Sequence, residues 1–448
     1  MNKHKTPVFD LRKLPEYTET FADRKVGVIG GGAVGSLAVE SLVKMGCKDI
    51  LIIDFDRLEP GNISKSSSMY RYPDDLGKNK AVALAARANE ILTDNSVHGI
   101  DADISDFGPM AFAGFDVVIL ALDNYAAKIY FNQIWKQIPA LQRPILISGG
   151  TYEEIAQSNC LDGNEACLRC TFDESWLERP LERTSCLIIQ FRVDPLRGDI
   201  VRTSGLASQN AAHLMSEQCR SYFLGYKNVQ NKRLMYYPYP NIGLNEYIPM
   251  KRGSCPDCRN YQPAEACEAL PDTDVLNTTI GELMSILEEL FSGRNFELLL
   301  PVVEYAGVGY TGLIKSAHCV CCGAEIDNIY RHPFRTRPGD IICGSCRTKG
   351  KTAPEHLNIS GDDGVLLGAI TRENCDGILA EKTLYEAGFA IGSFIEVRLR
   401  DDTALDIMDG GFETKLFYCE NDRDLLKSVN CLNPEPKQDT CPESEEQI

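Results

Sequence analysis

No run of about eighteen consecutive apolar residues occurs in this chain, so nothing in it reads as a membrane-crossing helix. The opening residues, MNKHKTPVFDLRK, have no apolar core of a secretion signal; the expected location is the cytoplasm, with no membrane partner. Basic runs are missing too, and the formal net charge is −18, which argues against a nucleic acid gripped through its phosphates. Histidine is scarce at six scattered residues, and the absence of an HExxH pair excludes that form of zinc hydrolase. No internal repeat is present.

What remains is ordinary for a soluble globular protein, 44% hydrophobic and 25% charged residues. A length of 448 residues suggests about two to four domains. Cysteine is plentiful at 18, and eight of these fall into four CxxC pairs. Paired CxxC knuckles have the geometry of zinc sites. Cys167 and Cys170, in EACLRC, pair naturally with Cys255 and Cys258, in GSCPDC. Cys319 and Cys322 pair with Cys343 and Cys346 across 20 intervening residues, a zinc-ribbon spacing that leaves Cys321 over.

The stretch KVGVIGGGAVGSLAVESLVKMGCKDILIIDFD organises the first half. An apolar run, Val26 to Ile29, ends in three glycines, and apolar residues then recur with the spacing of one helical face. Gly46 closes that helix, and a second apolar run delivers Asp54 at its carboxyl end. This predicts a strand, a glycine turn, a helix and a strand ending in an acid. Gly30, Gly32 and Gly35 let the backbone approach a phosphate, and Asp54 is placed to accept hydrogen bonds from ribose hydroxyls. The bland alternative is a glycine turn that packs a helix on a sheet with nothing bound.

The loop after Asp54 is long and polar and contains Asp56, Asn62, Lys65, Arg71, Lys78 and Lys80. Several cations near the glycine turn suit a triphosphate better than the pyrophosphate of NAD. Lys80 to Leu92 is alanine-rich and predicts a helix. FDVVILAL predicts a buried strand that ends in Asp123, with Asn124 beside it and a helix carrying Lys128. An acid there is placed to hold magnesium against phosphates.

Cys186 lies in LERTSCLIIQ, flanked by Arg183 and Arg192, where a thiolate would be stabilised for attack on an acyl adenylate. A buried structural cysteine is the alternative, and Cys160 and Cys219 are weaker nucleophile candidates.

Five motifs in order, GGGAVGS, DFDRLEPGN, DLGKNKA, LALDN and a CxxC pair, closely resemble the adenylation domain of the ThiF/MoeB/ubiquitin-activating-enzyme superfamily. The resemblance spans residues 20–260. It implies that the glycine turn and Asp54 hold ATP, that Lys80 contacts its phosphates, that Asn62 lines the site and that Asp123 binds Mg²⁺. It also implies a homodimer, a Cys186 loop like that of ubiquitin-activating enzymes, and an antiviral or protein-conjugation role in a bacterium. The family has arginine where this chain has Lys65 and Lys128; lysine keeps the charge and loses the two-pronged contact. Arg71 is a candidate to take over one of those roles.

The expected fold class is α/β: a Rossmann-like, mostly parallel sheet with helices on both faces, plus a smaller α+β C-terminal domain with an inserted zinc ribbon. The expected boundaries are an extension over 1–24, an adenylation domain over 25–265, a β-grasp-like domain over 272–420 with its ribbon at 317–348, and a disordered acidic tail over 421–448. In the second unit TTIGELMSILEEL predicts a capped helix, and Phe394 to Leu399 resembles the closing strand of a β-grasp domain. The function expected is ATP-dependent adenylation of a ubiquitin-like protein's C-terminal glycine, then a thioester on Cys186, for transfer to a conjugating enzyme. Rivals are a sulfur-carrier or small-substrate adenylyltransferase without the thioester step, and a non-catalytic scaffold subunit.

Overall fold

A computed structural model describes residues 21–92, 96–123, 125–172, 204–240, 242–305, 308–311, 313–319, 321–331, 342–349, 366–375, 377–399, 413–429 and 432. The glycine turn follows β1, an interior strand of an eight-stranded sheet of order β3-β2-β1-β4-β5-β6-β7-β8. In chain order these strands are Lys25–Ile29, Asp49–Asp54, Val97–Asp101, Val117–Leu120, Ile145–Tyr152, Ile155–Leu161, Lys232–Tyr237 and Gly243–Tyr247. The first five in chain order run parallel, and β6, β7 and β8 extend the sheet antiparallel. Strands buried on both faces read as continuous apolar runs, which is why ILII and VVIL form the centre. Strand order reverses at β1, between β2 and β4, and the crevice at that reversal is where such sheets bind ligands.

One face is covered by α1 (Ala33–Met45), α2 (Lys80–Leu92) and α4 (Gly205–Phe223), whose Ala38, Leu42, Ala81, Ala88 and Met215 pack over Val28, Ile52, Ile119 and Ile147. The other is covered by α3 (Tyr125–Gln137), through Phe131, Ile134 and Trp135, and by the C-terminal unit. Phe21, in the stretch expected to be an irregular extension, is buried against Phe223 at 5.8 Å between ring centroids.

The C-terminal unit lays α5 (Ile280–Leu290) on a five-stranded mixed sheet of order β11-β10-β12-β13-β9, where β9 is Glu268–Leu270, β10 Phe296–Leu299, β11 Ala369–Ile370, β12 Ile395–Leu399 and β13 Glu413–Cys419. Thr279 caps α5 reciprocally with Glu282: the Glu282 N–H donates to Thr279 Oγ1 at 3.2 Å, and the Thr279 N–H to Glu282 Oε2 at 2.8 Å. The strand that resembles a β-grasp closing segment, β12, is followed by a further strand, β13, which pairs along its other side. The segment expected to begin a disordered tail instead forms α6 (Asp422–Ser428), since Leu426 turns inward and is 5% exposed.

The two units share one apolar core and are stitched by main chain. The Gly108 N–H donates to the Ile391 carbonyl at 2.8 Å, the Ile391 N–H to Asp106 at 2.8 Å, and the Met110 N–H to Gly392 at 2.7 Å. Gly392 has φ +72°, and a Cβ there would lie 2.1 Å from the Ala111 nitrogen, so only glycine permits this contact. The Asp422 carboxylate, 1% exposed, accepts from the Gly392 N–H at 2.6 Å and the Val275 N–H at 2.8 Å. Burial pushes its pKa up to about 7, against the pull of those two N–H groups. A folded-state pKa above the unfolded value of about 4 means that its stabilising contribution is complete below that pH and lost as pH rises through 7. The melting temperature is therefore expected to fall between pH 4 and 8, and Asp422→Asn to flatten that slope in a series of melts; an unchanged slope would refute the assignment.

Candidate active site

Each expected glycine has its own reason. Gly30 has φ +98°, and a Cβ on it would lie 2.7 Å from the Ala121 carbonyl oxygen. A Cβ on Gly35 would lie 1.8 Å from the Gly30 oxygen, so α1 could not approach the turn. Gly32 is the N-cap of α1, and a Cβ there would meet nothing within 4 Å. That terminus has no side-chain cap and no acid in its first turn, so the positive end of the helix dipole there is left without a side-chain anion of its own. This is the room and the polarity that a phosphate needs.

Asp54 ends β2 beside this turn. Its Oδ2 accepts from the Gly31 N–H at 2.6 Å and its Oδ1 from the Asp56 N–H at 2.8 Å, leaving further lone pairs for a ligand hydroxyl. Burial pushes Asp54 up to about 6 even though the Lys80 charge pulls the other way. The Lys80 side chain is 9% exposed, and its Nζ lies 2.8 Å from Asp56 Oδ2. Burial acts to lower the Lys80 pKa, but the Asp54, Asp56 and Asp123 carboxylates outweigh it and hold the ammonium charged. Lys128 Nζ donates to the Gly149 carbonyl at 3.5 Å; burial lowers its pKa while the Asp123 charge opposes that. The fold thus brings Gly30, Gly32, Gly35, Asp54, Asp56, Lys80, Asp123 and Lys128 to one end of the sheet.

Other expected residues have contacts of their own or lie outside the described residues. Asn62 Oδ1 accepts from the Glu59 N–H at 2.9 Å, within the capping box of the short helix Pro60–Ile63. Lys65 is exposed. The Arg71 side chain pairs with Glu90 near the far end of α2, about 15 Å along the helix axis from Lys80, rather than with the group around Lys80. Asn124 and Cys186 lie outside the described residues. Cys160 and Cys219 are buried; burial pushes Cys160 up to about 12 and Cys219 well above its ordinary value, so neither is a ready nucleophile. Sequence reasoning missed Gly31, Tyr70 and Asn79. Asn79, whose Nδ2 donates to the Asp54 carbonyl at 2.8 Å and whose Oδ1 accepts from the Val82 N–H at 3.0 Å, was signalled by its place just before an alanine-rich helix.

The eight knuckle cysteines form two groups, Cys167, Cys170, Cys255 and Cys258, and Cys319, Cys322, Cys343 and Cys346, with the sulfurs of each group within 4.8 Å of one another. In the first, neighbouring sulfurs are 3.4, 3.6, 3.6 and 3.8 Å apart. Zn–S bonds of about 2.3 Å in a tetrahedron put sulfurs about 3.8 Å apart, so four thiolates at this spacing fit zinc. Asp257, buried between its two knuckle cysteines, accepts from Arg169 at 2.8 Å in the other knuckle and from Asn132 at 2.6 Å on α3. Asp123, one of the carboxylates around Lys80 beside the phosphate cradle, fits an arrangement in which one or two carboxylates and the substrate phosphates would share magnesium.

A doubly wound sheet whose first helix presents a bare N-terminus beside a lysine set among three carboxylates defines a nucleotide-binding α/β protein. The chain belongs to the ThiF family, whose model matches residues 11–284. It is similar to the SAMP-activating enzyme E1 of Haloferax volcanii, 28% identical over 164 residues, covering 36% of this chain and 58% of that one. It is also similar to ubiquitin-like modifier-activating enzyme 5 of Arabidopsis thaliana, 26% identical over 172 residues, covering 34% and 38%. Each match spans less than two thirds of the relative's length. Among solved structures, E. coli MccB with AMPCPP and MccA superposes with a TM-score of 0.43 at 19% identity, over 55% of this chain and 69% of that one.

Proposed function

We propose that this chain activates the C-terminal glycine of a ubiquitin-like protein by ATP-dependent adenylation, then holds the acyl group as a thioester on Cys186 for a conjugating enzyme, and works as a homodimer. The observation that carries the reading is the Lys80 ammonium held among Asp54, Asp56 and Asp123 beside the uncapped start of α1. The N–H groups of α1 and the Lys80 charge bind the phosphates. The incoming carboxylate attacks the α-phosphorus, the bond to the β-phosphate oxygen breaks, and pyrophosphate leaves while Lys80 and Lys128 offset the developing charge. Magnesium at Asp123 would supply further neutralisation. The Cys186 thiolate then attacks the acyl carbonyl and AMP departs.

A protein-sized substrate is supported by the outer edge of the sheet. Around β8, Ile242, Leu244, Ile248 and Met250 are 78%, 58%, 72% and 77% exposed, an apolar surface that a small carboxylic acid would not use. Two relatives named as activating enzymes, one of them for a ubiquitin-like modifier, support the same substrate class.

The test is intact mass spectrometry without reductant, with ATP, Mg²⁺ and ubiquitin-like proteins ending in glycine, beside Cys186→Ser. A dithiothreitol-sensitive adduct that the variant lacks is the expected result. Pyrophosphate exchange into ATP without an adduct would instead leave a sulfur-carrier or small-substrate adenylyltransferase, and neither signal with a bound carrier would leave a scaffold.

A further inference from the structure

The loop that follows Asp54 passes between the glycine turn and α2, and at that point it inserts Tyr70, 7% exposed. The tyrosine hydroxyl lies 2.8 Å from the Gly31 carbonyl oxygen and 3.1 Å from the Lys80 carbonyl oxygen. One phenolic proton thus serves two acceptors, one on the phosphate-facing turn and one on the residue whose ammonium meets the phosphates. Gly31 leaves room for this meeting: a Cβ there would lie 3.3 Å from the hydroxyl and 3.4 Å from Lys80 Cβ.

The opposite ends of the same backbone segments are also held. The Gly31 N–H donates to Asp54 Oδ2 at 2.6 Å, and the Lys80 N–H donates to the Asp56 carbonyl at 2.8 Å. The tyrosine's own seat is fixed from both sides. The Ser67 N–H donates to Ser36 Oγ on α1 at 2.9 Å, and Ser67 Oγ to Glu40 Oε2 on α1 at 2.5 Å. Beyond it, Asp75 accepts from the Arg87 guanidinium on α2 at 2.8 and 2.9 Å. Burial, with the Asp54 and Asp75 charges, holds the phenol well above its ordinary pKa, so it stays a donor at working pH.

We infer that Tyr70 is a positioning residue for adenylation: its hydroxyl sets the separation between the Gly31 turn and the Lys80 ammonium, and so where the phosphates meet that charge. This rests on the proposed use of the site for ATP. The role differs from packing, because a phenylalanine fills nearly the same space and lacks only the proton.

The probe is an acyl phosphate of ATP, whose acyl carbonyl is attacked by a lysine amine near the bound phosphates, forming an amide while ATP leaves with the phosphate oxygen. Lys80 acylation is followed by peptide mass spectrometry in the full chain, with ATP affinity and melting measured in parallel. Tyr70→Phe is expected to slow Lys80 acylation about tenfold, to change ATP affinity less than about threefold and to melt within a few degrees of the parent. An unchanged acylation rate at equal affinity overturns the positioning role and leaves the ATP reading standing. A parent protein that shows no ATP affinity, or whose Lys80 acylation, followed at a pH high enough to free the amine, is not suppressed by excess ATP, overturns the ATP reading and this inference with it.

Discussion

Lys80→Ala is expected to cut carboxylate-dependent ATP–pyrophosphate exchange by about 100- to 1,000-fold, the size of effect seen when one preorganised group facing a developing charge is removed. The alanine leaves Asp54, Asp56 and Asp123 without the cation that joins them, and ATP would bring more negative charge to the same place. The cost to the fold is expected to be small, because the direct partner, Asp56, is 51% exposed and can turn to water. Lys80→Arg keeps the charge but replaces a compact ammonium with a wider planar group, and is expected to fall between parent and alanine. Initial exchange rates with a melt of each variant check this. The pH profile adds a second reading. The Lys80 pKa is raised, so it contributes no alkaline limb below its ordinary value near 10.5. Asp54, pushed up to about 6, takes up a proton as pH falls through that value and loosens its hold on the Gly31 N–H and Lys80. An acid limb near pH 6 is expected; full exchange by Lys80→Ala would sink the role given to this lysine.

The parts of this site that could be read in the sequence are those whose causes are local. The strand, the glycine turn and α1 follow from periodicity and from glycines whose missing Cβ atoms the backbone requires, and Asp54 follows from its place at the end of ILII. The CxxC spacing likewise located both sulfur clusters. Composition groups Arg71 with the cations near the glycine turn but does not tell which way a side chain points; in the fold its guanidinium pairs with Glu90 on α2. Tyr70 gave no signal, since its partners are two main-chain carbonyls that only the folded loop brings together. The order of the second sheet was hidden for a related reason. Its central strand, β12, pairs with β10 about a hundred residues earlier and with β13 beyond it, and nothing local announces either partner. The acidic stretch before the tail was read by charge, yet Leu426 and the buried Asp422 anchor it to the unit.

Zinc analysis is expected to find two ions per chain, leaving at very different rates. All four sulfurs of the Cys167, Cys170, Cys255 and Cys258 group are buried, whereas Cys322 in the second group is exposed and Cys343 is half-buried. A chelator can reach the second ion directly, but the first only when the knuckles separate. That separation breaks more than metal bonds. The Arg169–Asp257 pair spans the two knuckles, and Asn132 on α3 both donates to Asp257 and accepts from the Leu168 N–H at 2.9 Å. Since α3 also carries Lys128, the buried cluster holds one wall of the nucleotide site. A structural zinc supplies about 10–16 kcal/mol to a folded site at neutral pH, comparable to the whole stability of many domains. Cys258→Ser is therefore expected to lower the soluble yield sharply and to abolish ATP affinity in what remains. Cys322→Ser is expected to lose one zinc and keep ATP affinity within about threefold, because its cluster lies outside the sheet that builds the site. Asp257→Ala, which leaves Arg169 buried without its partner, is expected to cost about 3–5 kcal/mol while the four sulfurs remain. Metal content by mass spectrometry and chelator release followed with a zinc dye check the series. A single release phase for both ions, or loss of ATP affinity in Cys322→Ser alone, would show that the two clusters do not divide the work in this way.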